Sequence, residues 1–233
     1  MSGFSILEAR GVCKEFPNMR APVLDGISLT VESGQVVALR GPSGSGKSTL
    51  LNILGCLDGP TRGSYWLGGR DVSTLTLRER AWVRLHYIGF VFQSFNLIAD
   101  HNVLENVTLP LYYMGVGRAE REARAIELIE RVGLGHRLTH RPAQLSGGEK
   151  QRVAIARAIA AEPRLILADE PTGALDTHTG DEVMELLKEI HRGRSLTLII
   201  VTHDPEIAAF CQRQIFLRDG KIVADEGGHA ADA

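Results

Sequence analysis

The stretch Gly41-Pro42-Ser43-Gly44-Ser45-Gly46-Lys47-Ser48-Thr49 matches G-x-x-x-x-G-K-[ST] at every fixed position, and it constrains the chain more than any other. A loop of this kind works between a strand and a helix. Glycines at 41, 44 and 46 let the backbone turn tightly and aim successive N–H groups at phosphate oxygens, and the positive end of the following helix adds to the same field. Both flanks are present. Val36-Val37-Ala38-Leu39 predicts a short buried strand, and Thr49-Leu50-Leu51-Asn52-Ile53-Leu54 predicts the opening of a helix. The stretch therefore reads as a nucleoside triphosphate site, with Lys47 reaching the β- and γ-phosphates and the Ser48 hydroxyl a magnesium ion.

At 233 residues and 44% apolar, the chain has room for one large domain or a core with an inserted subdomain. A formal net charge of -2 gives no global attraction to nucleic acid or to anionic lipid, so no nucleic-acid partner is expected. Cys13, Cys56 and Cys211 are odd in number and far apart, which suggests neither a disulfide framework nor a zinc site; they are expected as small buried residues in a reducing compartment. The opening residues 1–8 lack a cationic n-region, and no apolar run approaches the roughly 18 to 20 residues of a membrane span. A soluble, cytoplasmic-type chain is the expectation.

Before the phosphate loop, residues 6–16 and 27–31 predict strands; in the second, Ile27, Leu29 and Val31 alternate with Ser28 and Thr30. Phe16, followed by Pro17 and Asn18, ends the first strand, where its ring either joins the core or stacks on an adenine base. Residues 65–67 predict a short strand, and the apolar run 88–92 ends abruptly at Gln93, which either faces a ligand or only terminates the strand. From 102 to 161 the pattern turns helical, with Ala125, Ile126, Ile129 and Val132 on one face of 118–132. Phe92, Phe95, Tyr112 and Tyr113 are core or a docking groove, core being favoured. Leu145-Ser146-Gly147-Gly148-Glu149 precedes a run free of Gly and Pro, a second Gly-rich turn at a helix start. Leu165-Ile166-Leu167-Ala168 is a strand leading to Asp169 and Glu170, and adjacent carboxylates there are costly without a task. The run 198–202 ends at His203, and 214–218 with 222–224 form a hairpin around Asp219-Gly220.

In this order the motifs resemble the nucleotide-binding subunit of an ABC transporter over about residues 6–226: the phosphate loop at 41–49, a Q-loop at Gln93, the signature at 145–149, the acid pair Asp169 and Glu170, a D-loop Ala174-Leu175-Asp176 and a switch histidine His203. The wording of 52–58, 92–97, 106–112 and 169–176 is similar to the branch containing lipoprotein-releasing and macrolide-exporting ATPases. Two positions depart from the usual pattern: Glu149 stands where glutamine is commoner, and Phe16 where tyrosine is usual.

The resemblance implies a single nucleotide-binding domain over 1–233: an α/β P-loop ATPase with a mixed sheet core, an antiparallel β subdomain and an α-helical subdomain inserted at about 94–161. It implies ATP held by Phe16 and by Gly41, Pro42, Ser43, Gly44, Ser45, Gly46, Lys47, Ser48 and Thr49. Ser146, Gly147, Gly148 and Asp176 of a second copy would cover it in a head-to-tail homodimer. Ser48, Gln93 and Asp169 would hold Mg2+, with Glu170 as general base, His203 on the γ-phosphate, and Lys47 and Gln93 completing the catalytic set. It further implies a peripheral place on the cytoplasmic face of the inner membrane, contacted only through a separate transmembrane subunit; the apolar and aromatic residues after Gln93 exceed what a short loop needs for its own packing, so the expected docking groove lies near Gln93, Phe95, Leu97 and the helical segment that follows. A soluble ABC-type ATPase uncoupled from transport is the other class; the chain has neither the coiled-coil insertion of the DNA-repair type nor the twin cassettes of translation factors.

Overall fold

The computed structural model describes residues 5–17, 20–194 and 196–227; residues 1–4 and Asn18, used above, lie outside the described residues. In chain order the elements are β1 (Ser5–Lys14), β2 (Leu24–Glu32), β3 (Val36–Arg40), α1 (Lys47–Leu54), β4 (Arg62–Leu67), β5 (Arg70–Asp71), α2 (Leu77–Tyr87), β6 (Ile88–Phe92), α3 (Val103–Tyr113), α4 (Arg118–Arg131), α5 (Gly147–Ile159), β7 (Leu165–Asp169), α6 (Thr177–Arg194), β8 (Thr197–Val201), α7 (Pro205–Phe210), β9 (Arg213–Arg218) and β10 (Lys221–Glu226). Two compact units divide them, Met1–Arg84 with Ser195–Ala233, and Leu85–Arg194.

In the first unit, β2, β1, β4 and β5 form an antiparallel sheet in that order. The alternation of β2 sets its register: Ile27, Leu29 and Val31 are buried while Ser28 and Thr30 face out, and Leu29 lies opposite Ala9 of β1. The second set of strands in this unit places β3 parallel to both β8 and β9, with β10 returning antiparallel on β9. A strand hydrogen-bonded on both edges and covered on both faces reads as a near-continuous apolar run. Val36, Val37, Ala38 and Leu39 are accordingly at most 2% exposed, and every residue of β8 is buried. The β9–β10 turn carries Asp219 at φ 49° and Gly220 at φ 74°, the left-handed pair that a two-residue hairpin turn requires. Several boundaries move from expectation: β1 stops at Lys14, leaving Phe16 outside it, β2 and β4 begin three residues early at Leu24 and Arg62, and α1 starts at Lys47.

In the second unit, β6 and β7 run parallel, Ile88 opposite Leu165 and Phe92 opposite Asp169. The helical pattern expected over 102–161 takes the form of the α-helices α3, α4 and α5, with short 3-10 turns at Gly135–Arg137 and Pro142–Gln144. Asn102 caps α3 through a reciprocal box with Glu105, and the left-handed Gly115 and Gly133 interrupt the pattern after α3 and α4. On α4 the buried face is Ala125, Leu128 and Ile129, with Val132 just beyond and Ile126 half-buried. The residues expected as a helical subdomain, 94–161, fall inside this unit. All three cysteines are buried with free thiols, and loss of hydration pushes Cys56 up to about 11 and Cys211 to about 12.

Gly89 shows how closely α5 lies on β6: a β-carbon there would collide with the carbonyl oxygen of Ala158, which is backbone and cannot swing aside. Gly89→Ala is therefore expected to destabilise by about 1–3 kcal/mol, the usual cost of overpacking. Gly117→Ala, at φ −58° with nothing within 4 Å, should change stability by less than about 0.5 kcal/mol. Urea unfolding of the two variants beside the parent measures the contrast, and equal midpoints would reject the close packing of β6 on α5.

Candidate functional site

In the first unit, β3 delivers the chain into a loop that backbone crowding reserves for glycine. Gly41, Gly44 and Gly46 have φ of 146°, 76° and 101°; a side chain on Gly41 would strike Leu217 O, and one on Gly46 would lie 2.9 Å from Val23 O. Gly220 N donates to Ser45 O at 3.1 Å and fixes the loop from the β9–β10 turn. Lys47 Nζ reaches back across the loop to Gly41 O and Pro42 O, each at 2.8 Å. Pro42, Ser43, Gly44 and Ser48 are exposed, Thr49 is half-buried, and Ser45 is buried with its hydroxyl unpartnered among the described residues. Two further expected residues belong to this unit. Phe16 is exposed rather than core, and the exposed His203 follows Thr202, whose N–H donates to Leu39 O and so ties the end of β8 to the end of β3.

In the second unit, the register of β6 and β7 makes Gln93 and Glu170 leave adjacent strand ends. Glu170 adopts φ 45° and Gly173 N donates to Glu170 O at 3.0 Å, so the chain doubles back at once. A β-carbon on Gly173 would sit 2.8 Å from Gln93 Nε2 and 3.2 Å from Glu170 Oε2; the amide and the carboxylate converge over a glycine. Asp169 and Glu170 are half-buried and Gln93 is exposed.

Helix α5 brings the other expected residues of this unit to the same turn. Ser146 caps it, its Oγ accepting from Glu149 N at 3.2 Å while Glu149 Oε2 accepts from Ser146 N at 2.8 Å. Arg137 donates to Glu149 Oε1 at 3.0 Å. The Ser146 N–H first, then Arg137, hold the Glu149 carboxyl below the usual carboxylate range against the opposing effect of burial. Gly147 lies against Leu175 and Phe95, and Gly148 against Thr179. Asp176 accepts from Thr179 Oγ1 at 2.7 Å and Thr179 N at 3.0 Å, which lowers its pKa and caps the start of α6.

Three residues in this setting went unread in the sequence. Gly173 was hidden because an isolated glycine carries no periodic signal. Gln151, fully buried on α5, donates to Pro171 O at 2.6 Å, next to Glu170. Arg157 donates to Phe95 O at 3.0 Å and Asn96 O at 2.6 Å, holding two successive left-handed residues at φ 61° and 49°. Polar residues on the apolar face of α5 were the available signal for the last two. Of the four aromatics, Phe92 stacks on Phe90 at 5.4 Å and is half-buried, as is Phe95, whereas Tyr112 and Tyr113 are exposed by 59% and 67%. The favoured core placement fails for the two tyrosines, which sit on the outer turn of α3.

The family model described as ABC transporter matches residues 24–173, more than half of the chain. The chain belongs to the ABC transporter family. It is an ATP-binding subunit of that family, an ABC-type ATPase module, with the mixed sheet, antiparallel β subdomain and helical insertion expected of one. It is 52% identical to the lipoprotein-releasing system ATP-binding protein LolD of Geobacter metallireducens, covering 95% of this chain and 99% of that one. It is 51% identical to the macrolide export ATP-binding/permease protein MacB of Brucella melitensis biotype 1 over 97% of this chain, and spans about a third (35%) of that protein's length. Among solved structures, the ATP-binding cassette MJ0796, a dimer in a post-hydrolysis state bound to ADP and Pi, matches with a TM-score of 0.88 at 42% identity, over 96% of this chain and 99% of that one.

The capping box of this ABC subunit gives a local prediction. Ser146→Ala should destabilise the first turn of α5 by about 1 kcal/mol, seen as faster hydrogen exchange at residues 147–150. The lowered Glu149 pKa fixes the sign of the pH effect: its contribution is complete above the unfolded carboxyl pKa and is lost as pH falls through the lower folded value. Exchange at 147–150 that is unchanged by Ser146→Ala would remove the cap from the account.

Proposed function

We propose that this chain binds and hydrolyses ATP as the motor subunit of an export-type ABC system, working as a homodimer beneath a separate membrane subunit. The observation that supports it most is the convergence of the Glu170 carboxylate and the Gln93 amide on Gly173 at the ends of parallel strands. In this reading the N–H groups of residues 41–49 and the Lys47 ammonium bind the triphosphate, and Lys47 exchanges its two loop carbonyls for phosphate oxygens. Glu170 accepts a proton from the attacking water, and His203 hydrogen-bonds the γ-phosphate.

No group of three His, Cys, Asp or Glu among the described residues could hold a metal alone. Magnesium asks less of a protein, because it takes hard oxygen donors and keeps several water and phosphate ligands. Ser48 and Asp169, with the Gln93 carbonyl, would hold it, and when bound it neutralises charge on the phosphates. Ser146, Gly147, Gly148 and Asp176 act on the nucleotide of a second copy, in keeping with the dimer of the MJ0796 cassette.

Among the described residues no helix is long and apolar enough to cross a membrane. In this reading the chain lies on the cytoplasmic face of the inner membrane and reaches it through a transmembrane partner that docks near Gln93, Phe95 and Leu97; relatives named for lipoprotein release and for macrolide export are in keeping with a transport role.

Glu170→Gln is expected to retain ATP binding and to lower turnover by at least about a hundredfold, since a positioned base is typically worth about 10² to 10⁴ in rate. Near-normal hydrolysis would overturn the assignment of the base. Lys47→Ala should instead weaken nucleotide binding, measured by equilibrium titration. Mixing Ser146→Arg with Lys47→Ala subunits should restore one intact shared site; heterodimers with no activity beyond either parent would count against sharing.

A further inference from the structure

Lys14, the last residue of β1, is held from several sides. Its ammonium pairs with Asp58 at 2.7 Å, donates to Gly59 O at 3.0 Å and stands over the face of the Phe16 ring, 5.1 Å from its centroid. Gly59 N donates to Asp58 Oδ1 at 2.7 Å, so the anion that anchors the lysine is itself oriented. Burial opposes ionisation of Asp58, and the hydrogen bonds from Lys14 and Gly59 outweigh it, holding the carboxyl below its usual range. The Lys14 side chain is only 12% exposed, whereas Phe16 is 39% exposed. One face of the ring is thus covered by a fixed cation and the ring keeps open surface elsewhere.

This aromatic is also tied to the phosphate loop within the same unit. Lys14 O accepts from Val23 N at 2.8 Å, and Val23 O, with the Leu24 side chain, crowds Gly46 at the start of α1. A phenylalanine has no hydroxyl to fix its orientation through a hydrogen bond, so its ring must be set through its faces.

We propose that Lys14 is a positioning residue for the nucleobase: it backs the inner face of Phe16, fixes the ring and draws its π density inward, so that the outer face takes an adenine by stacking. The inference rests on the reading of Phe16 as the base-stacking residue. Two physical effects act together. A ring immobilised before binding loses less freedom when the base arrives, and a cation on one face makes the other less negative toward an electron-rich purine.

The test is equilibrium titration of the full chain with ATP and with inorganic tripolyphosphate, which has phosphates but no base. Lys14→Met is expected to weaken ATP binding by about 2- to 30-fold, the range of a cation–π contact, and to leave tripolyphosphate binding within about twofold. Lys14→Arg should retain ATP affinity. Lys14→Met added to Phe16→Ala should cost nothing further, because the ring it acts through is gone. Because Lys14→Met strands the Asp58 carboxylate, the pair Lys14→Met with Asp58→Asn, which removes both charges, serves as a second variant and should show the same ATP-selective loss.

Unchanged or tighter ATP binding in both lysine variants, with Phe16→Ala impaired, overturns the role of Lys14 and leaves base stacking intact. Equal losses for ATP and tripolyphosphate would make the role merely structural and also overturn it. If Phe16→Ala binds ATP as the parent does, base stacking itself fails and the inference falls with it.

Discussion

Helix α5 carries polar anchors on an otherwise apolar buried face, and the order of the second unit follows from them. Val153, Ala154, Ile155 and Ala156 are fully buried, so the helix can neither slide nor rotate without exposing them. On this fixed bar, Gln151 holds Pro171 and Arg157 holds the carbonyls of Phe95 and Asn96. Burial disfavours the charged form of Arg157 and lowers its pKa, so the two short carbonyl contacts are what make its place tolerable. One rigid element thereby fixes the residues after Gln93, the residues after Glu170 and the turn before α6.

The first unit solves its problem differently, by crowding backbone against backbone. At Gly41 and Gly46 the carbonyl oxygens of Leu217 and Val23 stand among the near neighbours, beside the Ser45 hydroxyl and the Leu24 side chain, and the backbone oxygens cannot swing aside. The loop is thus shaped by the entry to β2, by the end of β9 and by the β9–β10 turn, segments far apart in sequence. Its form belongs to the fold, and the glycines are its signature.

Where chemistry needs a fixed residue type, the sequence was readable. The phosphate loop, the acid pair and the Gly-rich turn at the start of α5 each require particular groups at particular spacings, and most of β3 and β8 stood out as apolar runs. Elements without a strong period were not legible. Helix α2 buries only Val83 fully, and α7 has six residues, too few for a repeat. Helix α6 was legible and went unread, since Val183, Leu186, Leu187 and Ile190 follow helical spacing on one buried face. The tyrosines of α3 show the opposite error: aromatic character suggests burial, and only the packing of the helix decides which side they take. Closeness of Gln93 to Glu170 follows from strand register, which a single sequence does not print.

Glu149 departs from the commoner glutamine, and its contact with Arg137 couples the two positions. A glutamine could still close the box with Ser146, but it would leave Arg137 without its carboxylate. Conversely, loss of Arg137 would leave the Glu149 carboxylate with the Ser146 N–H but without its cation. Neither residue can drift alone at no cost, so descent should carry the two together, and a lineage that reverts to glutamine is one in which the arginine has become free to change.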